Sequence, residues 1–372
     1  MVEHHIAFRT DASLQIGTGH VMRCLTLADA LQATGAQCHF ICREHPGNLI
    51  AQIRQRGFSV SILPATAEAL ITNELVVEAR SNYAAWLGAN WAIDAAQTKV
   101  GFGETAYDWL IVDHYALDTR WEQTLRPLCR KLMVIDDLAD RPHDCDLLLD
   151  QNLGRDADDY NQLVPDGCTV LAGPHYALLR PEFAALRDVS LRRRATPQLK
   201  HLLITMGGVD QADATGKVLE VLHDCQLPAD LRITVVMGTH APWLKRVQLL
   251  AKLMPQSTEV KVDVNNMSQL MADSDLAIGA AGSTSWERCC LGLPSIIGVQ
   301  AVNQQLIANA LEVSGAAKAF SISAGVHPIC ELIAKILSDN SILQKMSASA
   351  SAITDGKGVK RVALELNTMV LV

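Results

Sequence analysis

The chain has 372 residues, a length that predicts two domains or one large one. Hydrophobic residues make up 49% of the sequence and charged residues 19%, which suffices for a buried core and argues against a disordered chain. The net charge of −8 argues against a nucleic-acid backbone as the main partner.

The ten cysteines include no C-x-x-C pair, so neither a zinc ribbon nor a thioredoxin-like site is expected. We interpret most of them as reduced, buried packing residues. The polar start and the absence of a run of 18 apolar residues predict a cytoplasmic protein with no membrane segment. We expect no metal ion, because the Asp-x-Asp triplets at 144–146 and 273–275 precede apolar strands, away from the ligand-binding edge.

From the start of the chain, short apolar runs alternate with helical stretches. One such helix, Val21 to Leu31, directly follows a glycine-rich loop. This alternation is typical of a parallel sheet covered by helices on both faces. In the first half the runs predict strands at Ile6–Phe8, Cys38–Cys42, Val60–Leu63, Trp109–Val112, Leu132–Ile135 and Leu147–Leu149.

The same rhythm restarts near residue 200. A charged stretch, Asp188 to Lys200, contains Pro197 and is a candidate linker. We therefore predict an α/β protein of two Rossmann-like domains, residues 1–190 and 198–372, with ligands in a cleft between them. Predicted strands of the second half are His201–Thr205, Arg232–Met237, Thr258–Val262, Leu276–Ala280 and Ser295–Val299.

The first candidate site is the loop after the first strand, which carries Gly17, Gly19 and His20. Glycines let a backbone approach a ligand, and a helix N-terminus favours anions. A dinucleotide fingerprint fails here, because Met22 stands where that motif needs a small residue. His20 lies where the positive helix end favours a neutral imidazole, which a general base requires. A capping or packing histidine is the alternative.

The second candidate is Asp113-His114-Tyr115, at the carboxyl end of the strand Trp109–Val112. In a parallel sheet this end lies on the same side as His20. Tyr115 could orient a hydroxyl group or polarise His20, and Asp113 could instead hold backbone groups. A structural role remains open for each of the three.

In the second half, Gly207 and Gly208 form a turn directly after a predicted strand. Further on, Ser283 and Thr284 open a helix, where hydroxyl groups can cap it or bind phosphate. Glu287 lies one turn into this helix and could accept both hydroxyls of a ribose. The alternative is a capping box with Thr284 as the N-cap. Asn303 opens a later helix and could bind a sugar or a nucleotide, or simply cap the helix.

Taken in order, these segments resemble one family. The resemblance is to the UDP-2,4-diacetamido-2,4,6-trideoxy-β-L-altropyranose hydrolases of pseudaminic acid biosynthesis, relatives of the MurG-type glycosyltransferases. It covers nearly the whole chain, from about residue 6 to about residue 320. The segments that carry it are Gly17 to Leu25, Asp113 to Tyr115, Gly173 to Phe183, Met206 to Gly208, Gly282 to Cys289 and Asn303-Gln304.

The resemblance implies a B-type glycosyltransferase fold with the catalytic loop in the first domain and UDP bound by the second. It implies that His20 is the general base and that Tyr115 lies in the active site. It also implies that Glu287 binds the ribose and that Asn303 lies near the substrate. The implied reaction is inverting hydrolysis of the UDP-sugar, without cofactor or protein partner. Further substrate contacts are expected from Gly17, Gly19, Arg180, Gly207, Ser283 and Thr284.

Two other functions remain open. A glycosyltransferase would use the same site with a sugar or lipid hydroxyl in place of water. A non-catalytic nucleotide-sugar sensor would keep Glu287 and Ser283 but would not need His20.

Overall fold

The computed structural model describes residues 4–65, 83–299, 302–322 and 328–370, with the backbone alone at residues 302 and 303. The chain divides into two compact units. Unit 1 comprises Met1–Leu178 together with Gly358–Val372, and unit 2 comprises Leu179–Lys357. Each unit is an α/β structure built on one parallel sheet, which confirms the predicted fold class.

The sheet of unit 1 has seven strands in the order β3-β2-β1-β4-β5-β6-β7. Its strands are β1 His5–Thr10, β2 Gln37–Arg43, β3 Ser59–Leu63, β4 Tyr107–Asp113, β5 Cys129–Ile135, β6 Leu147–Asp150 and β7 Thr169–Ala172. In the part of unit 1 that the structure describes before residue 178, the α-helices are α1 Gly19–Gln32, α2 Ile50–Gln55, α3 Trp91–Phe102 and α4 Thr119–Leu125.

Alternate side chains of β1 enter two separate cores. Ile6 and Phe8 pack on one face of the sheet, against α1 and the C-terminal helix, and Ala7 packs on the other face. Both faces are therefore covered, as a doubly wound parallel sheet requires.

The strand order reverses direction between β1 and β4, which are hydrogen-bonded neighbours. In their register Thr10 pairs with Asp113, so the segments that follow these residues leave the sheet side by side. Ligands of doubly wound sheets bind outside the carboxyl ends of the strands at such a reversal.

The sheet of unit 2 has six strands in the order β10-β9-β8-β11-β12-β13, with its reversal between β8 and β11. Its strands are β8 His201–Thr205, β9 Arg232–Met237, β10 Ser257–Val262, β11 Leu276–Ala280, β12 Ser295–Val299 and β13 Ala317–Ser321. The helices that follow in chain order are α5 Pro181–Arg194, α6 Ala214–Asp224, α7 Leu244–Leu253, α8 Met267–Asp273, α9 Thr284–Cys290, α10 Val302–Val313, α11 Pro328–Ser338, α12 Ser341–Ile353 and, in unit 1, α13 Gly358–Val370.

All the predicted strands are present, and among the residues that the structure describes two further strands, β7 and β13, were not predicted. β7 has only four residues, and β13 carries Lys318 and Ser321 among its five residues, so neither forms a strong apolar run. Both lie at the edge of their sheet, where a strand needs fewer buried apolar side chains than a central strand does.

The predicted linker is wrong. Residues 188–194 continue α5, and Arg193 and Arg194 at its end donate to backbone carbonyl groups. Arg194, which is buried, donates to the carbonyls of Met271 at 2.9 Å and Ser274 at 2.8 Å. The compact units accordingly depart from the predicted domains 1–190 and 198–372, since residues 179–190 belong to unit 2 and 358–372 to unit 1.

The expectation of reduced thiols is wrong for one pair. Cys225 and Cys330 form a disulfide, with their Cα atoms 5.5 Å apart. Cys225 caps the C-terminus of α6, and Cys330 lies in α11, which packs beside it. Their separation of 105 residues in the chain hid this proximity from pattern analysis.

Candidate functional site

His20 is the second residue of α1 and is buried, with 8% of its surface exposed. Its Nδ1 lies 2.6 Å from Oδ1 of Asp113, the last residue of β4. Because an ionised carboxylate can only accept, Nδ1 donates in this bond. The neutral ring therefore keeps its lone pair on Nε2, the atom that can take a proton.

Asp113 is fully buried and ionised. Burial alone would raise the pKa of this carboxyl group, but Arg23 and His20 outweigh it and hold the pKa well below its ordinary value. Arg23 donates to both oxygens, from Nε at 2.6 Å and from Nη2 at 2.7 Å. This two-point contact fixes the carboxylate plane that orients His20.

Tyr115 lies beside His20. The two rings meet edge to face, with centroids 4.6 Å apart. The hydroxyl of Tyr115 donates to Oδ2 of Asp137 at 2.7 Å. Burial and Asp137 raise the pKa of Tyr115 well above its ordinary value, so the hydroxyl stays protonated and is no general base. Tyr83 and Trp86, whose role the sequence did not indicate, pack on Tyr115.

The loop before His20 has the open backbone expected of it. Gly17 has a φ of +82°, and no atom lies within 4 Å of the place where a Cβ would stand. Gly19 is the first residue of α1. Thr18 is the N-cap of this 14-residue helix, and its side chain makes no capping hydrogen bond to the first N–H groups.

A second buried cluster lies beside the first. Asp94 of α3 binds Arg9 at 2.6 Å and Arg43 at 2.6 Å, and all three side chains are fully buried. Burial would raise the pKa of Asp94, but Arg9 and Arg43 lower it to about 2. Arg9 also binds Asp11, the residue directly after β1. This cluster anchors the ends of β1 and β2.

In unit 2, Glu287 is half-buried on α9 and its Oε1 lies 3.6 Å from Nη2 of Arg180. Arg180 also pairs with Glu182 at 3.2 Å. Burial raises the pKa of Glu287, and the nearby Arg180 and Arg288 only partly offset this. The long contact leaves the carboxylate capacity to accept further hydrogen bonds.

The capping-box alternative for Glu287 is wrong. α9 begins at Thr284 with Ser283 as its N-cap, and Ser283 makes no side-chain capping bond. Thr284 lies inside the helix, where its hydroxyl accepts from Nη1 of Arg288 at 3.4 Å. Arg288 is buried, and burial lowers its pKa to about 10. Neither Ser283 nor Glu287 therefore serves the ordinary capping role.

Gly207 follows β8, is exposed and has a φ of +102°, with open space where a Cβ would stand. The helix behind it, α6, is already capped. Asp210 accepts from the N–H groups of Ala214 at 2.9 Å and Thr215 at 2.8 Å. The carboxylate occupies the positive end of α6, so this helix offers no site for an anion.

Asn303 lies in α10, but its side chain is outside the described residues. Within those residues, no three His, Cys, Asp or Glu side chains are placed to hold a metal ion. In the same part of the chain, no helix combines the length and the apolar character needed to cross a membrane.

Sequence reasoning missed two members of the site, Arg23 and Asp137. Asp137 comes two residues after β5 and Arg23 one turn after His20. Their positions in the sequence could have identified them, because both lie at the carboxyl edge of the sheet of unit 1, where His20 and Asp113 were expected.

Comparison with known proteins agrees with this architecture. Residues 201–364 match the glycosyltransferase family 28 C-terminal domain. Among solved structures, Acinetobacter baumannii MurG aligns with a TM-score of 0.70 at 15% identity, covering 99% of this chain and 100% of MurG. The chain has the B-type glycosyltransferase fold.

Two curated relatives are more similar in sequence. The UDP-2,4-diacetamido-2,4,6-trideoxy-beta-L-altropyranose hydrolase of Campylobacter jejuni is 29% identical over 75% of this chain and 85% of its own length. The uncharacterized protein MJ1062 of Methanocaldococcus jannaschii is 26% identical over 78% of this chain. The chain spans 55% of the length of MJ1062.

Proposed function

We propose that this chain hydrolyses a UDP-sugar to UDP and the free sugar. The observation that carries the proposal is the 2.6 Å contact between His20 Nδ1 and Asp113, which leaves Nε2 available to take a proton from water. A histidine held in this way by a buried carboxylate is arranged as a general base.

The proposed substrate is UDP-2,4-diacetamido-2,4,6-trideoxy-β-L-altrose, and the product is 2,4-diacetamido-2,4,6-trideoxy-L-altrose. The support for this sugar is the name of the Campylobacter jejuni relative, 29% identical over 279 residues. The reaction would then be a step of pseudaminic acid biosynthesis in the cytoplasm.

In the proposed mechanism, Nε2 of His20 accepts a proton as the water oxygen bonds to the anomeric carbon. The bond between that carbon and the diphosphate oxygen breaks, and its electron pair leaves with UDP. A single displacement inverts the anomeric centre. Asp113 stabilises the imidazolium that forms, and Tyr115 holds the ring in place from its side.

We assign nucleotide binding to unit 2. Glu287 would accept the ribose hydroxyls, Ser283 and Thr284 would lie at the phosphates, and Arg180 would balance the charge of Glu287. Gly207 offers exposed backbone that a ligand can approach. Gly17, Gly19 and Asn303 are further proposed substrate contacts. This chemistry needs no metal ion.

A UDP-sugar glycosyltransferase is the second candidate, because residues 201–364 match a glycosyltransferase domain. The two reactions differ only in whether water or another hydroxyl attacks the anomeric carbon.

Release of UDP from the UDP-sugar by the purified chain, with no acceptor present, separates these functions. Release at a steady rate is expected for a hydrolase. Release only after an acceptor is added would identify a transferase, and binding without release would identify a sensor. EDTA is expected to leave the rate unchanged.

The mechanism is tested by running the reaction in ¹⁸O-labelled water. The label is expected in the free sugar, and proton NMR should detect an inverted anomer first. His20→Ala should abolish release, whereas His175→Ala, at an exposed position, should not. Label in UDP, a retained anomer or a fully active His20→Ala variant would each overturn the mechanism.

A further inference from the structure

Three segments of unit 1 converge on the carboxylate of Asp137, which is 13% exposed. Its Oδ2 accepts the hydroxyl of Tyr115 at 2.7 Å and pairs with Nη1 of Arg23 at 2.8 Å. Asn152, which follows β6, donates to Oδ1 and to the backbone carbonyl of Asp137, both at 3.3 Å. These bonds fix Asp137 between α1 and the ends of β4 and β6.

Asp137 also completes a charge arrangement around His20. Arg23 is shared by two carboxylates, Asp113 through Nε and Nη2 and Asp137 through Nη1. Burial would lower the pKa of Arg23, but Asp113 and Asp137 raise it well above its ordinary value, so it remains a cation.

Without Asp137, Arg23 and Asp113 would form a neutral pair. A neutral pair gives little support to a positive charge on His20, because the attraction from Asp113 is offset by the repulsion from Arg23. With Asp137 present, Arg23, Asp113 and Asp137 together carry a net negative charge. This charge can balance the positive charge that His20 gains when it becomes an imidazolium.

We propose that Asp137 is a positioning residue for His20: it holds the ring of Tyr115 against the imidazole and offsets the charge of Arg23. This extends the proposed hydrolysis by naming a group that sets the basicity of its general base. Asp137 itself touches no reacting atom in this arrangement.

Other ionisable groups face the same region. His114 stays neutral, because burial lowers its pKa to about 3. Asp150 lies behind Asp137, and burial together with Asp137 raises its pKa to about 7. Asp136 binds Arg141, and Asp150 binds Arg155 at 3.2 Å. Asp150 is thus the neighbour that titrates near neutrality, and its contribution must be measured separately.

The first test needs no substrate and does not depend on the reaction. The ring protons of His20 are followed by NMR from pH 5 to 9 in the wild type and in Asp137→Asn, with His20→Ala assigning the signal. The titration midpoint of His20 is expected to move down by about 0.5 to 1 unit in Asp137→Asn. Asp137→Glu keeps the negative charge, so the midpoint of His20 in this variant should stay close to the wild-type value.

The matched control is Asp136→Asn. Asp136 is the neighbouring carboxylate, and it binds Tyr160 and Arg141 instead of Tyr115 and Arg23. This variant should leave the midpoint within about 0.2 unit of the wild type. Asp150→Asn, measured alongside, reports how much of any shift comes from Asp150.

The second test uses the reaction. Asp137→Asn should lower kcat by about 10- to 100-fold with little change in the Kd of UDP, and should move the acidic limb of the pH–rate profile to lower pH. In the Tyr115→Phe background, Asp137→Asn should reduce kcat by a smaller factor, because the hydrogen bond from the Tyr115 hydroxyl to Asp137 is already lost.

Equal titration midpoints in the wild type and Asp137→Asn would overturn the proposal, as would fully additive losses in the double variant. A shifted midpoint in a chain that releases no UDP would support the role of Asp137 and overturn only the proposed hydrolysis. Should Asp137→Asn not fold, Asp137→Ser and Asp137→Ala carry the same comparison, because both remove the carboxylate. A His20 midpoint equal to that of the wild type in whichever of them folds would overturn the proposal.

Discussion

Asp113 holds His20 and Arg23 at once, accepting from Nδ1 of the histidine at 2.6 Å and from Nε of the arginine at 2.6 Å. One carboxylate thus selects the tautomer of His20 and is itself kept ionised by Arg23. This relationship joins the proposed general base and a buried ion pair through a single side chain.

Replacing Asp113 with Asn should lower kcat by about 10³- to 10⁴-fold, because the amide can donate to Nδ1 and so favours the tautomer with its proton on Nε2. Steady-state kinetics of UDP release checks this, and the Kd of UDP should change less than about threefold. Asp118→Asn is the control, since Asp118 is also buried but caps α4. A loss no larger than that of the control would contradict the assignment of His20 as the base.

Replacing Glu287 with Gln should weaken UDP binding by about 10- to 100-fold, because hydrogen bonds from the ribose hydroxyls to a charged acceptor become neutral ones. Isothermal titration calorimetry with UDP measures the change. Glu182→Gln is a matched control on the same arginine, since Glu182 pairs with Arg180 at 3.2 Å. If both variants bound UDP like the wild type, Glu287 would have no part in nucleotide binding.

Replacing Asp94 with Asn should destabilise unit 1 by roughly 3 to 5 kcal/mol, because it leaves Arg9 and Arg43 buried without this partner. The folded-state pKa of Asp94, about 2, lies below its unfolded value. Its stabilising contribution is therefore present above about pH 4 and is lost as pH falls through about 2. Urea denaturation at pH 3 and pH 7 measures both effects.

The control for Asp94 is an exposed ion pair, Asp29 with Arg56. Asp29→Asn should cost less than about 1 kcal/mol, because water screens such pairs. Equal losses of unfolding free energy in Asp94→Asn and Asp29→Asn would show that the buried cluster contributes no more to stability than an exposed ion pair.

Asp150 should give the opposite pH dependence. Burial, with Asp137 and Asp136 nearby, raises its folded-state pKa to about 7, above the unfolded value. Its contribution is fully present below about pH 4 and is lost as pH rises through about 7. Relative to Asp150→Asn, the wild type should lose about 1.4 kcal/mol of stability between pH 6 and 8. Denaturation curves of both proteins that stay parallel across this range would contradict the raised pKa.

The sequence allowed most of the framework to be predicted, because buried parallel strands are short continuous apolar runs with glycine or polar residues at their carboxyl ends. The expectation that His20 and Asp113 lie on the same side of the sheet followed from those strand ends alone. The bond between them did not, since β1 and β4 are brought side by side only by the order of strands in the sheet.

Charge patterns were harder to interpret. The arginines at the end of α5 have the composition of a solvated linker, yet Arg194 is buried, and backbone carbonyls of other segments accept its hydrogen bonds. Asp137 had no motif of its own, and its importance arises from three partners far apart in the chain. Pattern cannot reveal such convergence.

The C-terminal helix α13 belongs to unit 1, where Val362 and Leu366 enter the core and the carbonyl of Leu366 accepts from Nε1 of Trp109 at 3.2 Å. All 179 residues of unit 2, Leu179–Lys357, are translated between the two parts of unit 1. On the ribosome, unit 2 therefore has its whole sequence available before unit 1 does. The elements that carry His20 and Asp113, α1 and β4, are synthesised early, but the core behind them is complete only when α13 has emerged.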